Sequence, residues 1–507
     1  MPGQKDTVKK SKISRLLNGI ERVGNKLPDP FMLFVALAGI VIILSWIISL
    51  FDVTFTLPGE DEAVAIQSLI SAEGLQFMLT SMIDNFVGFG PLGIVLTMML
   101  GIGLANKVGL IETVIKSTIL RAPKSLVTYA VIFTGIIANL AADAAFIIVP
   151  PLAAMVFYNL GRHPLAGLAA GFAGVGSGFT ANIIIANTDA VIAGISADVM
   201  AAMDASVTVT LLDNYFFMVT SVFLLTITGG LITEKIVEPQ LGTYGGNVSK
   251  EFESTKPIEK KGLRNAALAA FGYIALLLIV IFIPGSPLLN EDGSVVQSPL
   301  LGGIVPILML FFITVAIAYG ITTKKIESSR SIAQFMGEGI KDMSGFIVLI
   351  FAAAQFIAYF DWTNIGSWIA VSGATYLESA GMTGIGVVLA FILFSALLNM
   401  LIFSGAAQWT LQAPIFLQMF YYLGYHPAFI QAAYRLAESS TSVITPMNPY
   451  FVVILGFMKE YDKKAGIGTL IALMLPYAIS FLTVWVLLFL VFVFLDIPFG
   501  PGIGVYL

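Results

Sequence analysis

Long apolar runs alternate with short polar stretches along most of the chain. Four of these runs approach or exceed the ~20 residues that an α-helix needs to cross about 30 Å of hydrocarbon. They span residues 31–50, 266–283, 300–321 and 470–495. The pattern therefore predicts an all-α polytopic membrane protein.

The composition of the chain agrees with this pattern. Of its 507 residues, 57% are hydrophobic and only 11% are charged, whereas soluble domains contain about 25% charged residues. The chain has no cysteine, which excludes thiolate nucleophiles and cysteine-ligated metals. Its formal net charge of −5 argues against nucleic-acid binding, and it lacks a Walker-type phosphate loop, so ATP is not expected to drive it by that route.

Lysine and arginine are concentrated in three polar parts of the chain, at residues 1–30, 233–265 and 322–341. Cytoplasmic loops carry an excess of these two residue types, so all three parts are predicted to be cytoplasmic. Residues 52–73 and 284–299 contain acids but no lysine or arginine, and they are predicted to face outward. The N-terminus is therefore expected in the cytoplasm, with the first helix running outward.

One segment of the chain occurs twice. Residues 151–164, PLAAMVFYNLGRHP, resemble residues 414–427, PIFLQMFYYLGYHP, without a gap; from 151 to 414 the separation is 263 residues. The same separation carries the first apolar run, predicted to run outward, onto the run at 300–321, predicted to run inward. Repeats of opposite topology are common in secondary transporters, whose sites lie between discontinuous helices.

These features predict five parts of the chain. They are a cytoplasmic basic N-terminal segment at 1–30, a first transmembrane repeat at 31–235, a cytoplasmic loop at 236–263, a linking transmembrane helix with an outer loop at 264–290, and a second, inverted transmembrane repeat at 291–507.

Two stretches that follow the repeated segment are predicted to be broken helices. They are GFAGVGSGFTANIIIANTDA at 171–190 and RLAESSTSVITPMNPY at 435–450. Glycine, proline and small polar residues at membrane depth leave backbone groups unpaired, which is tolerated where they line a cavity or are buried in protein. The alternative interpretation is close helix packing through small residues.

Arg435 is the only lysine or arginine between Lys341 and Lys459, and it opens the second broken stretch. A guanidinium at membrane depth suits a substrate carboxylate. The alternative is a structural pair with Glu438, three residues further along the same helix face.

Asp189 follows Asn187 and Thr188 where the first broken stretch ends. A carboxylate beside freed carbonyls and hydroxyls suits a Na⁺ site or an amine contact, and a helix cap is the structural alternative. Trp409 follows small residues in a predicted hairpin tip. It is a candidate to stack on an aromatic ligand, and its alternatives are packing or an interfacial anchor.

Segments spread over nearly the whole chain resemble the AbgT family of p-aminobenzoyl-glutamate transporters. They include ERVGNKLPDPF, GRHPLAGLAA, AGVGSGFTAN followed by NTDA, GGLITEKIVEP, GYHPAF, RLAESS and IPFGPGI. The resemblance implies a homodimer in the bacterial inner (plasma) membrane. Each subunit would have about nine transmembrane helices and two re-entrant helical hairpins around an aqueous basin.

The resemblance also implies roles for individual residues. The family positions critical for function, taken as substrate-binding, fall on Asp189, Trp409, Pro427 and Arg435. Asn399 in SALLNM and the acid after Arg435 resemble family Na⁺-site positions. That acid is Glu438 here, where the motif commonly has aspartate, which makes its ion role less secure. With Asn187 and Thr188, these residues make up the predicted ion site.

The sequence thus predicts an ion-coupled secondary transporter for p-aminobenzoyl-glutamate or a related folate-derived aromatic carboxylate. Na⁺ or H⁺ is the expected coupling ion, and no other cofactor is expected. Efflux of sulfonamide-type antimetabolites is an alternative within the same class, because the family includes such exporters. An ion channel is an alternative of a different class. An intramembrane enzyme would require a catalytic pair, which the sequence lacks.

Overall fold

A computed structural model describes residues 28–58, 62–141, 143–203, 205, 207–246, 255–295 and 298–507. The N-terminal segment predicted at 1–30 therefore lies outside the described residues, apart from 28–30. The described chain is mostly helical, as the apolar pattern predicts. Its strands are β1 (Thr54–Thr56) and β2 (Ala63–Ala65), which pair antiparallel.

The helices before residue 242 carry the first half of the fold. They are α1 (Pro30–Ser49), α2 (Ala72–Thr80), α3 (Met82–Val87), α4 (Gly90–Lys107), α5 (Leu110–Arg121), α6 (Val127–Ile137), α7 (Asp143–Asn159), α8 (Pro164–Ser177), α9 (Asn187–Ala202), α10 (Tyr215–Ile232) and α11 (Glu238–Leu241). A 3₁₀ turn, Ala138–Ala141, follows α6, and a π-helical turn, Thr233–Val237, joins α10 to α11.

The remaining helices carry the second half. They are α12 (Pro257–Phe282), α13 (Pro299–Gly302), α14 (Ile304–Thr322), α15 (Ser329–Asp342), α16 (Ser344–Trp362), α17 (Ile365–Ser379), α18 (Ile385–Asn399), α19 (Gly405–Tyr422), α20 (Pro427–Thr441), α21 (Phe451–Tyr461) and α22 (Ile467–Phe494). Helix α12 begins inside the stretch predicted as a loop at 236–263.

Within the described residues, seven helices are long and apolar enough to cross a membrane. Four of them, α1, α12, α14 and α22, coincide with the four apolar runs read from the sequence, and the others are α4, α10 with its extension, and α16. Shorter apolar helices, among them α8 and α18, add to these. A multi-pass membrane protein is thus confirmed, while the number of nine crossings stays a prediction.

The centre and the edge of the molecule differ sharply in burial. Every residue of α8 and of α20 is buried, whereas α12 buries only Gly262 and Ala266. Helices α8 and α20 therefore form the interior around which the longer helices pack, and α12 presents most of its apolar surface outward.

The two copies of the repeated segment have the same local structure. Helix α8 begins at Pro164 and α20 at Pro427, and the preceding histidine of each, His163 or His426, accepts a hydrogen bond on Nδ1 from the backbone N–H two residues later, both at 3.2 Å. Proline suits the first helical position because its missing N–H would be unpaired there. The opposite orientation of the two repeats in the membrane stays a prediction.

Candidate functional site

Both stretches predicted to be broken are interrupted in the structure. Helix α8 ends at Ser177 and α9 starts at Asn187, so residues 178–186 are not helical. Helix α20 ends at Thr441 and α21 starts at Phe451, so residues 442–450 are not α-helical. The prediction that Arg435 opens this break was wrong, because Arg435 lies inside α20, six residues before the helix ends.

The two interrupted regions contact each other through hydroxyl groups. The Thr180 and Ser439 hydroxyl oxygens are 2.7 Å apart, and Ser439 Oγ also accepts the Thr180 N–H at 3.2 Å. The Ser177 hydroxyl donates to the Ser440 carbonyl at 3.4 Å. Small polar side chains thereby satisfy backbone groups that an interrupted helix leaves free at membrane depth.

A cavity of about 290 Å³ lies between the two interruptions. Phe146 and Tyr450 stack in its wall, with ring centroids 4.3 Å apart and planes inclined by 5°. Residues from the start of α9, the start of α19 and the end of α20 also line it, among them Asn187, Thr188 and Glu438. The cavity therefore combines flat aromatic surface with oxygen acceptors.

Several oxygens near this cavity have no hydrogen-bond partner among the described residues. They include Asn187 Oδ1 and Thr188 Oγ1, both buried on the α9 side. Unpaired buried polar atoms are costly, so they point to a ligand that supplies the missing partner. An amine or a hard cation would do so.

Asn399 and Glu438 meet on the other side. Asn399 Nδ2 donates to the Glu438 carbonyl at 2.8 Å and to Thr441 Oγ1 at 2.9 Å, which leaves Asn399 Oδ1 unpartnered within the described chain. Glu438 Oε2 accepts the Ser439 hydroxyl at 2.9 Å. The structure thus brings together two of the four predicted ion-site residues, and Glu438 shares the cavity wall with the other two, Asn187 and Thr188.

Arg435 is only 1% exposed, and its Nη1 forms an ion pair with Asp189 Oδ1 rather than with Glu438. Its Nε and Nη2 have no acceptor within the described part of the chain. These two nitrogens lie along one edge of the planar guanidinium, the edge that binds a carboxylate with two parallel hydrogen bonds. The adjoining cavity measures about 10 Å³, roughly the room for one water, so this edge is closed to substrate in this conformation.

Asp189 also caps its own helix. Its Oδ2 accepts the Ala186 N–H at 2.7 Å and Asn182 Nδ2 at 2.8 Å, while Oδ1 faces Arg435. A carboxylate at the third helical position stabilises the helix start by accepting such an N–H. The cap alternative therefore describes the observed contacts, and the substrate role of Asp189 stays a prediction.

Trp409 lies within α19 rather than in a hairpin tip. The helix begins before Trp409, because the Ser404 side chain caps it by accepting the Ala407 N–H. The indole is fully buried and stacks on Tyr434 with centroids 4.5 Å apart. In this conformation it packs between helices and does not line the cavity, so its contact with substrate stays a prediction.

A buried chain of hydrogen bonds begins at Trp409. It was not predicted from the sequence. Trp409 Nε1 donates to Ser196 Oγ at 3.0 Å, Ser196 donates to Gln431 Oε1 at 2.6 Å, and Gln431 Nε2 donates to Asn214 Oδ1 at 2.8 Å. Asn214 then donates to the Ala428 carbonyl at 2.7 Å. Because a carbonyl can only accept, the last bond sets the direction of every other bond in the chain. The amide side chains of Gln431 and Asn214, at membrane depth, were the sequence signal that could have indicated this chain of hydrogen bonds.

Pro427 is buried at the first position of α20 and touches neither cavity wall directly. Its fixed φ suits the start of the helix that carries Arg435 and Glu438. Its direct contact with substrate stays a prediction.

Comparison with known proteins identifies relatives along the whole length of the chain. Residues 15–507 match the family model described as the "AbgT putative transporter family". A protein of Escherichia coli (strain K12) named p-aminobenzoyl-glutamate transport protein is 41% identical over 495 residues, which cover 97% of each chain.

Two solved structures have the same fold. The YdaH transporter of Alcanivorax borkumensis superposes with a TM-score of 0.89 and 36% identity, covering 94% of this chain and 100% of that one. MtrF of Neisseria gonorrhoeae, described as illuminating a class of antimetabolite efflux pumps, superposes with a TM-score of 0.90 and 40% identity, covering 96% and 100%.

Proposed function

Since this chain belongs to the AbgT transporter family, we propose that it is an ion-coupled secondary transporter of p-aminobenzoyl-glutamate or a related folate-derived aromatic carboxylate across the bacterial plasma membrane. One observation carries the proposal: between the two interrupted helices, an aromatic-walled cavity with unpaired oxygens lies near an arginine that has a free carboxylate-binding edge.

The chemistry of the site complements that substrate group by group. p-Aminobenzoyl-glutamate has an aromatic ring, an aniline nitrogen and two carboxylates. The Phe146 and Tyr450 rings offer a surface for the ring, and the aniline N–H groups need oxygen acceptors of the kind that line the same cavity. The free edge of Arg435 receives a carboxylate.

Access to Arg435 requires a conformational change. Removing one partner from a buried ion pair costs about 3–5 kcal/mol, because the other charge is left uncompensated. A substrate carboxylate that binds the Nε and Nη2 edge places a second anion beside the same guanidinium. The free-energy cost of separating Arg435 from Asp189 then falls, because the charge of Arg435 stays compensated. Substrate binding and movement of α9 relative to α20 would then be coupled.

A coupling ion is needed for uptake of a dianion. A membrane potential that is negative inside opposes its entry by about 2.3 kcal/mol per charge for each 100 mV. Asn399, Glu438, Asn187 and Thr188 supply the oxygens for Na⁺, or Glu438 alone a site for H⁺. Coupling to either ion offsets the charge moved.

The test is uptake of radiolabelled p-aminobenzoyl-glutamate into proteoliposomes, with Na⁺ and pH gradients imposed separately. We expect uptake to require one of these gradients, and Arg435→Lys to reduce it at least about tenfold because the fork is lost while the charge remains. The control is Arg330→Lys, at an exposed arginine. Uptake that needs no gradient would indicate a channel, and normal uptake by Arg435→Lys would refute the carboxylate role.

Efflux is the second candidate, supported by the structural similarity to MtrF. The same vesicles, loaded with a sulfonamide and given an opposing gradient, measure it. Faster gradient-dependent loss of the sulfonamide than of p-aminobenzoyl-glutamate would assign the chain to efflux.

A further inference from the structure

A second cavity lies away from the transport site. It measures about 410 Å³ and is enclosed by α5 and α6 on one side and by α12 and α14 on the other. Its lining is apolar apart from two threonine side chains, Thr118 and Thr134. A site this poor in polar groups does not hold ordered water, and apolar cavities of roughly 150 Å³ already bind small hydrocarbons.

This cavity opens to the surface that faces the bilayer. Val114 on α5 is 45% exposed and Ala267 on α12 is also exposed, and both line the cavity. Helix α12 is almost wholly exposed and its residues after Arg264 are apolar, so this surface is suited to contact lipid. Acyl chains are the apolar ligand present at the highest concentration beside such an opening.

The charge at one end of the cavity selects the headgroup. Leu263, Ala267 and Ala270 form the cavity-lining stripe of α12, and the exposed Lys260 and Arg264 each precede a member of it by three residues. Residues three apart share a helix face, so both cations lie over this stripe. The sequence predicts this end of α12 to be cytoplasmic, where anionic lipid attracts basic residues by about 1 kcal/mol each.

Glu259, the acid nearest to these cations in the sequence, is already engaged. Its carboxylate accepts the Lys256 N–H at 2.8 Å at the start of α12. Lys260 and Arg264 are exposed cations beside this end of the stripe, and they complement a phosphate.

We propose that this cavity is a phospholipid site, in which one acyl chain fills the space between α5 and α12 and an anionic headgroup contacts Lys260 and Arg264. The chain would also contact Ile184, which lies in the interruption between α8 and α9 and lines the cavity. The lipid would thereby support the non-helical segment that shapes the transport site. The site is independent of which substrate is transported.

Native mass spectrometry of the purified full chain, titrated with phosphatidylglycerol or phosphatidylcholine after delipidation, tests the proposal. Ala267→Phe with Ala270→Phe fills the cavity, and Leu268→Phe, on the exposed side of the same helix, is the matched control. We expect the filled variant to bind phosphatidylglycerol about tenfold more weakly, while the control binds it as the wild type does.

A second pair of variants keeps the proposal testable if the filled variant does not fold. Lys260→Gln with Arg264→Gln should bring phosphatidylglycerol down to the affinity of phosphatidylcholine, and Lys261→Gln, off the stripe, should keep the preference. Unchanged lipid binding in the filled variant, or a preserved preference in the charge variant, would overturn the site. Loss of dimers with lipid still bound would instead assign the cavity to a second copy of the chain.

Discussion

Two turns of the molecule, residues 159–164 and 422–427, have matching backbones but are attached to the rest of the fold by different chemistry. Each ends a helix with a left-handed glycine, Gly161 at φ 73° and Gly424 at φ 83°. The following residue, Arg162 or Tyr425, donates its N–H to the carbonyl five residues back, at 2.9 and 3.0 Å. Glycine adopts this conformation without a steric cost.

The first turn is held by charges. Arg162 Nε donates to Glu238 Oε1 at 2.9 Å, and its Nη1 donates to Thr128 Oγ1 at 2.7 Å. Its guanidinium also lies 4.1 Å from the centre of the Phe157 ring. Glu238 is presented by the helix that follows the π-helical turn, so this irregular turn sets the position of the carboxylate.

The second turn is held by aromatic packing and backbone hydrogen bonds from the end of the chain. Tyr425 donates its hydroxyl to the Thr383 carbonyl at 2.7 Å and stacks on Tyr506 at 5.2 Å. The His426 N–H donates to the Val505 carbonyl at 3.0 Å. Phe499 anchors this segment, since it is fully buried among other phenylalanine rings.

The comparison shows that the residues common to both turns determine the local backbone conformation. The residues that differ determine which part of the fold each turn contacts. Glycine, histidine and proline are common to both turns, and Arg162 stands where the other turn has Tyr425. An ion pair is weakened by salt, and aromatic packing is not. If the two turns lie on opposite sides of the membrane, the two sides are secured by forces that respond to different conditions.

The largest expected effect concerns sidedness itself. Because the chain has no cysteine, Asn159→Cys and its counterpart Tyr422→Cys give clean single labels, and both positions are more accessible than the buried His426. We expect an impermeant maleimide to label one variant from outside intact cells and the other only in inside-out vesicles. Labelling of both from one side would mean that the repeats are parallel.

Removing the anchor of the second turn should cost the most stability. Phe499→Ala is expected to lower the free energy of unfolding by about 3–5 kcal/mol, as for other buried phenylalanines. Denaturant unfolding in mixed micelles measures this, and the loss should not change with salt. Phe494→Ala, at a residue that is 72% exposed, is the control; an equal loss there would remove the anchoring role.

Breaking the first turn should cost less and should depend on salt. Arg162→Gln is expected to destabilise by about 2 kcal/mol, because Glu238 loses its partner in a site that is only partly buried. The difference from wild type should shrink at high salt. A double-mutant cycle with Glu238→Gln isolates the pair, and a coupling energy near zero would contradict the ionic attachment.

The smallest effect concerns the histidine caps. Burial lowers the pKa of His426 from 6.5 to about 4, so its neutral Nδ1 accepts the Ala428 N–H. A base with a lowered pKa in the folded state contributes stability that is present above pH 6.5 and is lost as the pH falls towards 4. His426→Ala should cost about 1 kcal/mol.

His426→Asn separates capping from titration. Asparagine also caps helices well, so this variant should keep most of the stability at pH 8 and lose less than wild type on acidification. The pKa of His163 is lowered by burial, but Glu238 and Asp462 oppose that shift, so the same substitution there should change the pH dependence less. Equal pH dependence in wild type and both variants would contradict the assignment.

The sequence alone was sufficient for features that depend on local composition. The apolar runs became α1, α12, α14 and α22, because a run of that length has few stable states other than a helix in lipid. The two interruptions were visible as glycine, proline and small polar residues. The repeated segment was visible in the sequence, and its two copies have one backbone because glycine, histidine and proline act within a few residues of themselves.

Only the tertiary structure decided which distant residues meet. Arg435 pairs with Asp189 across 246 residues, not with Glu438 three residues away, and Trp409 packs on Tyr434 and bonds to Ser196 instead of facing the cavity. The physical reason is that α20 is buried on every side, so contrast with water or lipid does not indicate which neighbour each of its faces meets. Packing and hydrogen bonds between helices determine which way each side chain points.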